Sequence, residues 1–267
     1  MPDFRYLLRQ DLLALGVRPG GLLLVHGSYR SLLRPGRPAP DGPEDVIRGL
    51  RETLGPDGTL LMPALTYERV TPDRPVFDVR RTPGNVGIIP ETFRLSSGTL
   101  RSLHPTHSVC AAGRLAAGLT EPHAADDTPC GPHSPFRAVA ERGGQILFLG
   151  CGLAANTTMH AVEELVMPPY LLDPPALCRI IRSDGSELEK AYRPHNFRGW
   201  RQRYDRVAGL LGPPALRRGP AAAADSILLD ASALWGAALA ALRSDSLFFV
   251  DPLKSDAGRP AGELGRV

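Results

Sequence analysis

The sequence has no apolar run long enough to cross a bilayer: the stretch around Leu22–Val25 falls far short of the roughly 20 residues that a helical span needs. A membrane partner is therefore not expected. Lysine is nearly missing, with Lys190 and Lys254 set among arginines, and the net charge of +3 is scattered along the chain. Without a basic cluster there is no footprint for a phosphate backbone, which removes nucleic acid from the expected partners. Cysteine is sparse too. Cys110, Cys130, Cys151 and Cys178 are widely separated and form no CxxC pair, so neither a disulfide framework nor a thiolate zinc knot is indicated, and most are expected as small core residues. No Gly-x-Ser-x-Gly elbow and no GxxxxGK-Ser/Thr loop occurs, which weakens the case for elbow-type hydrolysis and for phosphoryl transfer.

What is present is a chain of 267 residues, 43% of them apolar, enough for a large α/β core. The segment MPDFRYLLRQDLLALGV interleaves Asp3, Arg5, Arg9 and Asp11 with leucines. That is the pattern of an amphipathic surface helix and not of a signal peptide, so a cytoplasmic protein is expected. The helix should end near Gly16, and GGLLLVHGS reads as a buried strand entering the turn His26-Gly27-Ser28. DGPEDVIRGLRETLG has Asp41 as a cap candidate, an apolar face at Val46, Ile47, Leu50 and Leu54, and a closing Gly55, and so predicts a helix. A strand at Gly58–Pro63 completes a βαβ unit, the mark of parallel strands covered by helices.

Further on, GIIPETFRL predicts a short helix, and Ser108–Ala112 and Gln145–Leu149 predict strands. The intervening loop EPHAADDTPCGPHSPF is longer than ordinary connections; its His123 and His133 are expected to be solvated. A helix from Asn156 through Met167 follows the turn Cys151-Gly152. Ala176–Arg182 and Glu187–Arg193 read as a hairpin, and helices are expected near Arg198–Leu211 and Ser232–Arg243.

In NTTMHAVEE, Asn156 can cap the helix, with His160 one turn in and Glu163 three residues later. Such a pair shares one helical face, so the carboxylate can hold one imidazole nitrogen and leave the other free as a general base. Its position after a strand end is also where open α/β sheets bind ligands. Glu164 at i+4 is within reach. The same spacing equally fits an exposed helical pair worth a few tenths of a kcal/mol. RSLHPTHSVCAAG groups Arg101, His104, His107 and Ser108; the His-x-x-His could offer metal ligands, ligand contacts or a structural turn, and Pro105 argues against the helical zinc spacing.

Taken in order, LLLVHGSYRSL, GPDGTLLMPALTY, GNVGIIPETFR, GTLRSLHPTHSVCAAG, DDTPCGPHSPF, GGQILFLGCG and NTTMHAVEE resemble the aminoglycoside 3-N-acetyltransferase family, also called the antibiotic N-acetyltransferase fold. RRGPAAAADSILLDASAL resembles that family's closing segment. The resemblance implies one three-layer α/β/α domain over residues 1–267 with a central mixed, largely parallel sheet, distinct from the GNAT fold. The sheet core would occupy about 1–170, and the substrate-side hairpin and helices about 171–267. It further implies acetyl-CoA as co-substrate, no metal, and transfer of acetyl to an amine of a small molecule.

The family's Thr-x-x-His-x-x-Glu motif falls on Thr157, His160 and Glu163. His26, Gly27, Ser28, Tyr29 and Arg30, with Arg101, His104 and Ser108, are expected to hold the cofactor or line its channel. Tyr67, Glu68, Glu164 and His195 are expected on the acceptor side. Direct transfer needs donors for the oxyanion, among which Ser108 is a candidate; Cys151 as a covalent nucleophile is the lesser alternative. Monomer and homodimer both stay open.

The departure from the family lies in YRPHNFRGWRQRYD, with Arg193, His195, Arg198, Arg201 and Arg203 where antibiotic-modifying members tend to be acidic. Cations repel a polycation, so an acceptor carrying a carboxylate or phosphate is expected. Two other classes compete with this function: a metal-dependent hydrolase using His104 and His107, and a non-catalytic CoA-binding relative.

Overall fold

The computed structural model describes residues 3–253; Lys254 and the rest of the expected domain span lie outside them. Helix α1 (Phe4–Leu15) starts where Asp3 accepts from the Arg5 amide and stops at Gly16, whose φ of 105° is the left-handed cap that glycine supplies without strain. Strand β1 (Leu22–Gly27) leads to α2 (Pro43–Leu54). Asp41 does not cap α2 as expected. Gly42 takes that place and Pro43 opens the helix, its fixed φ and missing N–H suiting the first turn, while the Asp41 amide donates to Asp45. Strand β2 (Thr59–Pro63) then returns parallel to β1, Leu22 opposite Thr59, which closes the βαβ unit.

Strand β3 (Val76–Asp78), α3 (Ile88–Leu95), β4 (Leu100–Arg101) and β5 (Val109–Gly113) follow. Next come α4 (Ala116–Thr120), α5 (Pro135–Glu141), β6 (Gln145–Leu149) and α6 (Thr158–Val166). The expected hairpin is β7 (Ala176–Ile181) with β8 (Glu187–Tyr192). It is followed by β9 (Trp200–Gln202), β10 (Leu216–Ala221), β11 (Ala224–Asp230), α7 (Ala231–Ser244) and β12 (Val250–Pro252). The helix expected near Arg198–Leu211 is not there. Its place is taken by β9 and a 3₁₀ run, Tyr204–Leu210, that buries Tyr204 and Val207, the i,i+3 spacing of that tighter winding.

The main sheet runs β10-β11-β6-β1-β2-β5-β4. It is mixed, as expected, yet parallel pairing is confined to β6, β1 and β2; β10–β11, β11–β6, β2–β5 and β5–β4 are antiparallel. The two-residue turn Ala222-Ala223 between β10 and β11 allows no other direction. Alternation along β1 divides the core. Leu22 and Leu24 face a cluster with Phe136, Met159 and Leu234 from α5, α6 and α7, whereas Leu23 and Val25 face Leu8, Leu50 and Phe93 from α1, α2 and α3. Helices thus cover both faces in three layers. Smaller clusters form around Phe77 and Ile180 on the β3-β7-β8 sheet and around Tyr170 and Val250 near β9 and β12.

His123, expected in solvent, is fully buried. Its Nδ1 lies 2.9 Å from Ser102 Oγ and its ring stacks on His104. His133 is exposed and pairs with Asp126 at 2.7 Å. All four cysteines are free, and all but Cys151 are buried. Among the described residues no helix is long and apolar enough to cross a membrane. Leu24, fully buried on the central strand, provides a test of the packing. Leu24→Ala should lower the unfolding free energy by about 2–5 kcal/mol in urea denaturation, and a loss under about 1 kcal/mol would contradict a close-packed layer.

Candidate active site

The C-terminal ends of the parallel strands β6, β1 and β2 open on one cavity of about 710 Å³, the edge at which α/β sheets take ligands. β1 contributes His26 and Gly27, the segment after β2 contributes Leu65 and Tyr67, and the turn after β6 contributes Cys151. Thr157 and His160 come from the start of α6, and the later half of the chain supplies His195, Phe197 and Tyr204. Thr157, not Asn156 as expected, is the N-cap of α6 and makes no side-chain cap bond, but Asn156 one position earlier holds the helix entry. Its Oδ1 accepts from the Thr158 amide at 3.2 Å and from the Thr158 hydroxyl at 2.6 Å, satisfying a donor that the helix start leaves unpaired.

One turn in, His160 Nδ1 lies 3.2 Å from Glu163 Oε2. The Tyr204 hydroxyl stands between them, donating to Glu163 Oε2 at 2.7 Å and lying 2.8 Å from His160 Nδ1. The Tyr170 hydroxyl donates to the other carboxylate oxygen at 2.9 Å. With the Tyr204 proton committed to the carboxylate, its oxygen is free to accept from an Nδ1–H. That tautomer leaves Nε2 with its lone pair, on a ring that lines the cavity. Burial first, and then the charge of Glu163, push the Tyr170 and Tyr204 phenols well above their usual range, so both stay protonated donors. Neither tyrosine was indicated by the sequence. Tyr170 follows the Pro168-Pro169 stop, and Tyr204 lies 41 positions from Glu163, beyond any local pattern.

Two more imidazoles crowd His160. Ring centroids are 4.3 Å apart for His160 and His195, 4.6 Å for His107 and His195, and 5.6 Å for His107 and His160. Burial, then the neighbouring His160, hold His107 and His195 well below the ordinary histidine range, so both are uncharged. His26 also lines the cavity, stacked on Phe148 at 5.1 Å. Burial brings it to about 3, and its Nε2 is buried without a partner.

The other expected site residues separate. Tyr67 and His195 line the cavity, but Glu68 is exposed and does not. Glu164 sits behind the wall, accepting from the Thr128 hydroxyl and the Cys130 amide, with His195 Nε2 at 3.5 Å. Burial lifts its carboxyl to about 7. Ser28, Tyr29 and Arg30 lie off the cavity wall; Tyr29 packs on the core and Arg30 is exposed.

Arg101 is a structural strut, donating to the carbonyls of Ala64, Val79 and Thr82 and to Ser108 Oγ. Ser108 is fully buried and donates to the Ala64 carbonyl at 2.8 Å, so it has no hydroxyl proton left for an oxyanion. His104 faces away from the cavity, its Nδ1 accepting from the Thr106 and His107 amides, and it cannot serve with His107 as the expected metal pair of a hydrolase. Cys151 does line the cavity, but burial raises its thiol to about 11, the reverse of an activated nucleophile.

Three of the arginines after the hairpin are matched by carboxylates. Arg198 donates to Asp173 at 2.6 Å, Arg203 pairs with Asp205 and Asp251, and Arg206 with Asp251. Arg193 donates to the Asp173 carbonyl, Arg201 is exposed, and none of these arginines lines the cavity. The premise for an anionic acceptor therefore fails.

The aminoglycoside 3-N-acetyltransferase family matches residues 24–243. The chain belongs to that family. Aminoglycoside N(3)-acetyltransferase IV of Salmonella sp is 37% identical over 248 residues, 91% of this chain and 88% of the relative. Aminoglycoside N(3)-acetyltransferase VII of Streptomyces paromomycinus is 34% identical over 185 residues, 63% of this chain and 62% of the relative. Among solved structures, the apoenzyme of aminoglycoside acetyltransferase AAC(3)-IVa superposes with a TM-score of 0.77 at 33% identity, covering 94% of this chain and 93% of that one. AAC-IIIb in a binary complex with CoASH gives 0.77 at 30%, covering 91% and 97%.

This aminoglycoside 3-N-acetyltransferase family member is thus a CoA-dependent N-acetyltransferase of the non-GNAT antibiotic N-acetyltransferase fold, with acetyl-CoA as co-substrate. Tyr204→Phe keeps the buried ring and removes one hydroxyl from the His160–Glu163 contact. Steady-state kinetics should show kcat about tenfold lower, roughly 1.4 kcal/mol for one hydrogen bond, with KM for acetyl-CoA unchanged. An unaltered kcat would mean that the phenol has no hold on the imidazole.

Proposed function

We propose that the chain acetylates an amine of an aminoglycoside by direct transfer, with His160 as the general base and Glu163 as its orienter. The observation that carries this reading is the cavity-facing imidazole whose Nδ1 is held by the Tyr204–Glu163 contact. An amine is protonated at neutral pH and needs an acceptor for its proton before it can attack a carbonyl carbon. Acetyl-CoA supplies the acetyl thioester. His160 Nε2 takes the amine proton, and the developing positive charge on the ring is stabilised through Nδ1 by the buried carboxylate. Thr157, one turn before His160, lines the same wall and offers its hydroxyl to the acceptor.

Among the described residues the cavity lining contains no arginine or lysine, so no cation on its wall opposes a polycationic acceptor. It also agrees with the relatives, since an AAC(3)-IVa variant in complex with a gentamicin has a TM-score of 0.78 at 34% identity, covering 94% of this chain and 93% of that chain. For the cofactor, the unpartnered His26 Nε2 offers a polar contact. An adjoining groove of about 520 Å³ shares Cys151 with the main cavity and presents the Ser31 hydroxyl and two cations, Arg218 and Arg34, the latter paired with Asp225; guanidinium groups suit the phosphates of CoA. Residues 1–267 are read as one acetyltransferase domain because the half after residue 170 supplies His195, Phe197 and Tyr204 to the cavity wall. The cytoplasm, where acetyl-CoA is available, is its compartment in this reading.

The decisive assay follows CoA release with a thiol reagent, using gentamicin as acceptor. His160→Ala should cut kcat by about two orders of magnitude or more while leaving acetyl-CoA affinity nearly intact. Full turnover at saturating substrates in the variant would remove His160 from the base role, and no turnover of gentamicin by the native chain would remove the aminoglycoside assignment.

A further inference from the structure

General-base chemistry employs one imidazole, yet the cavity wall brings three together. One ring nitrogen from each of His107, His160 and His195 lies within 4.8 Å of the others. The residues arrive on separate segments: His107 just before β5, His160 on α6, and His195 after β8. Two of the rings are steadied at one nitrogen by a group behind them. Thr106 Oγ1 lies 3.0 Å from His107 Nδ1 and Tyr204 and Glu163 hold His160 Nδ1, whereas His195 Nε2 has Glu164 Oε1 nearby at 3.5 Å without a hydrogen bond. A carboxylate or hydroxyl behind an imidazole is the outer layer that orients histidines around a metal ion. The nitrogens left over are Nε2 of His107 and Nε2 of His160, and His195 Nε2 makes no hydrogen bond.

Packing alone does not account for this arrangement. Apolar aromatic rings would fill the same wall without bringing lone pairs together, and His195 Nε2 is buried with no hydrogen-bond partner. Three imidazoles with a fourth position open to a cavity match the donor set of zinc-type ions. Tetrahedral coordination at about 2.0–2.1 Å spaces ligand nitrogens roughly 3.4 Å apart, so small side-chain rotations close the set.

We propose that His107, His160 and His195 bind a divalent transition-metal ion of the zinc type, and that metal binding and proton acceptance by His160 exclude one another. The exclusion follows because the ion takes the lone pair that would receive the amine proton. It rests on the reading of His160 as base; the metal site itself does not.

The test begins with the metal-free chain titrated with zinc chloride in a calorimeter and, in parallel, with cobalt(II) followed by its visible d–d bands. One ion per chain with a tetrahedral cobalt spectrum is expected, and His107→Ala and His195→Ala should each weaken uptake at least about tenfold while circular dichroism stays native. X-ray absorption on the zinc-loaded native chain needs no variant and should show three imidazole nitrogens. Absence of stoichiometric uptake, a first shell of carboxylate oxygen or thiolate sulfur, or folded variants that bind as the native chain does would each overturn the site. Zinc should also lower acetyl transfer in proportion to occupancy, with EDTA restoring it. Full occupancy at an undiminished rate would overturn the exclusion alone, and that result is independent of the His160→Ala assay.

Discussion

A single buried carboxylate organises the site. Glu163 is fully removed from solvent, and a charge in that position is tolerated only where hydrogen bonds replace its lost hydration. Tyr170 satisfies one oxygen, and Tyr204 together with His160 satisfies the other. The demand of the carboxylate for donors therefore fixes three side chains, two from nearby positions and Tyr204 from 41 residues away, and it is this demand that leaves Nε2 of His160 free toward the cavity. A network of this kind is all or nothing, since a missing donor leaves part of a buried charge unpaired.

The fold serves this arrangement in two ways. Parallel pairing of β6, β1 and β2 collects three strand ends and the start of α6 at one edge, which is where His26, Cys151 and His160 stand. The antiparallel flanks and the β3-β7-β8 sheet then allow the chain after residue 170 to return across that edge and close it with His195, Phe197 and Tyr204. The carboxylate-matched arginines belong to the same return: Arg203 and Arg206 meet Asp251 where β9 pairs with β12, anchoring the segment that carries Tyr204. Their charge holds this chain segment in place, away from the cavity lining.

What was legible in the sequence was local. The βαβ unit, the strand before Cys151 and the His160–Glu163 spacing all depend on neighbours within a few turns, and all stand in the structure. The resemblance to the family added the co-substrate and the class of reaction. What remained hidden depends on contacts across long separations or on sequence that disguises its conformation. Gly219 and Pro220 conceal β10, an edge strand where a missing N–H costs no ladder bond. Arg101 and Ser108 look catalytic by residue type, but they are consumed by backbone carbonyls that no pattern reveals. The arginine-rich stretch suggests an anion site only until Asp173 and Asp251 are seen beside it. Tyr204 was lost with the helix assigned around it, because 3₁₀ and α windings share an i,i+3 contact.

The central claim is that the Tyr204–Glu163 contact sets the His160 tautomer, and long-range proton–nitrogen correlation spectroscopy of ¹⁵N-histidine-labelled protein reads it directly. The account predicts that the His160 resonances show a protonated Nδ1 and an unprotonated Nε2 in the resting metal-free enzyme. A protonated Nε2 with a bare Nδ1 would contradict it, since no base would then face the acceptor.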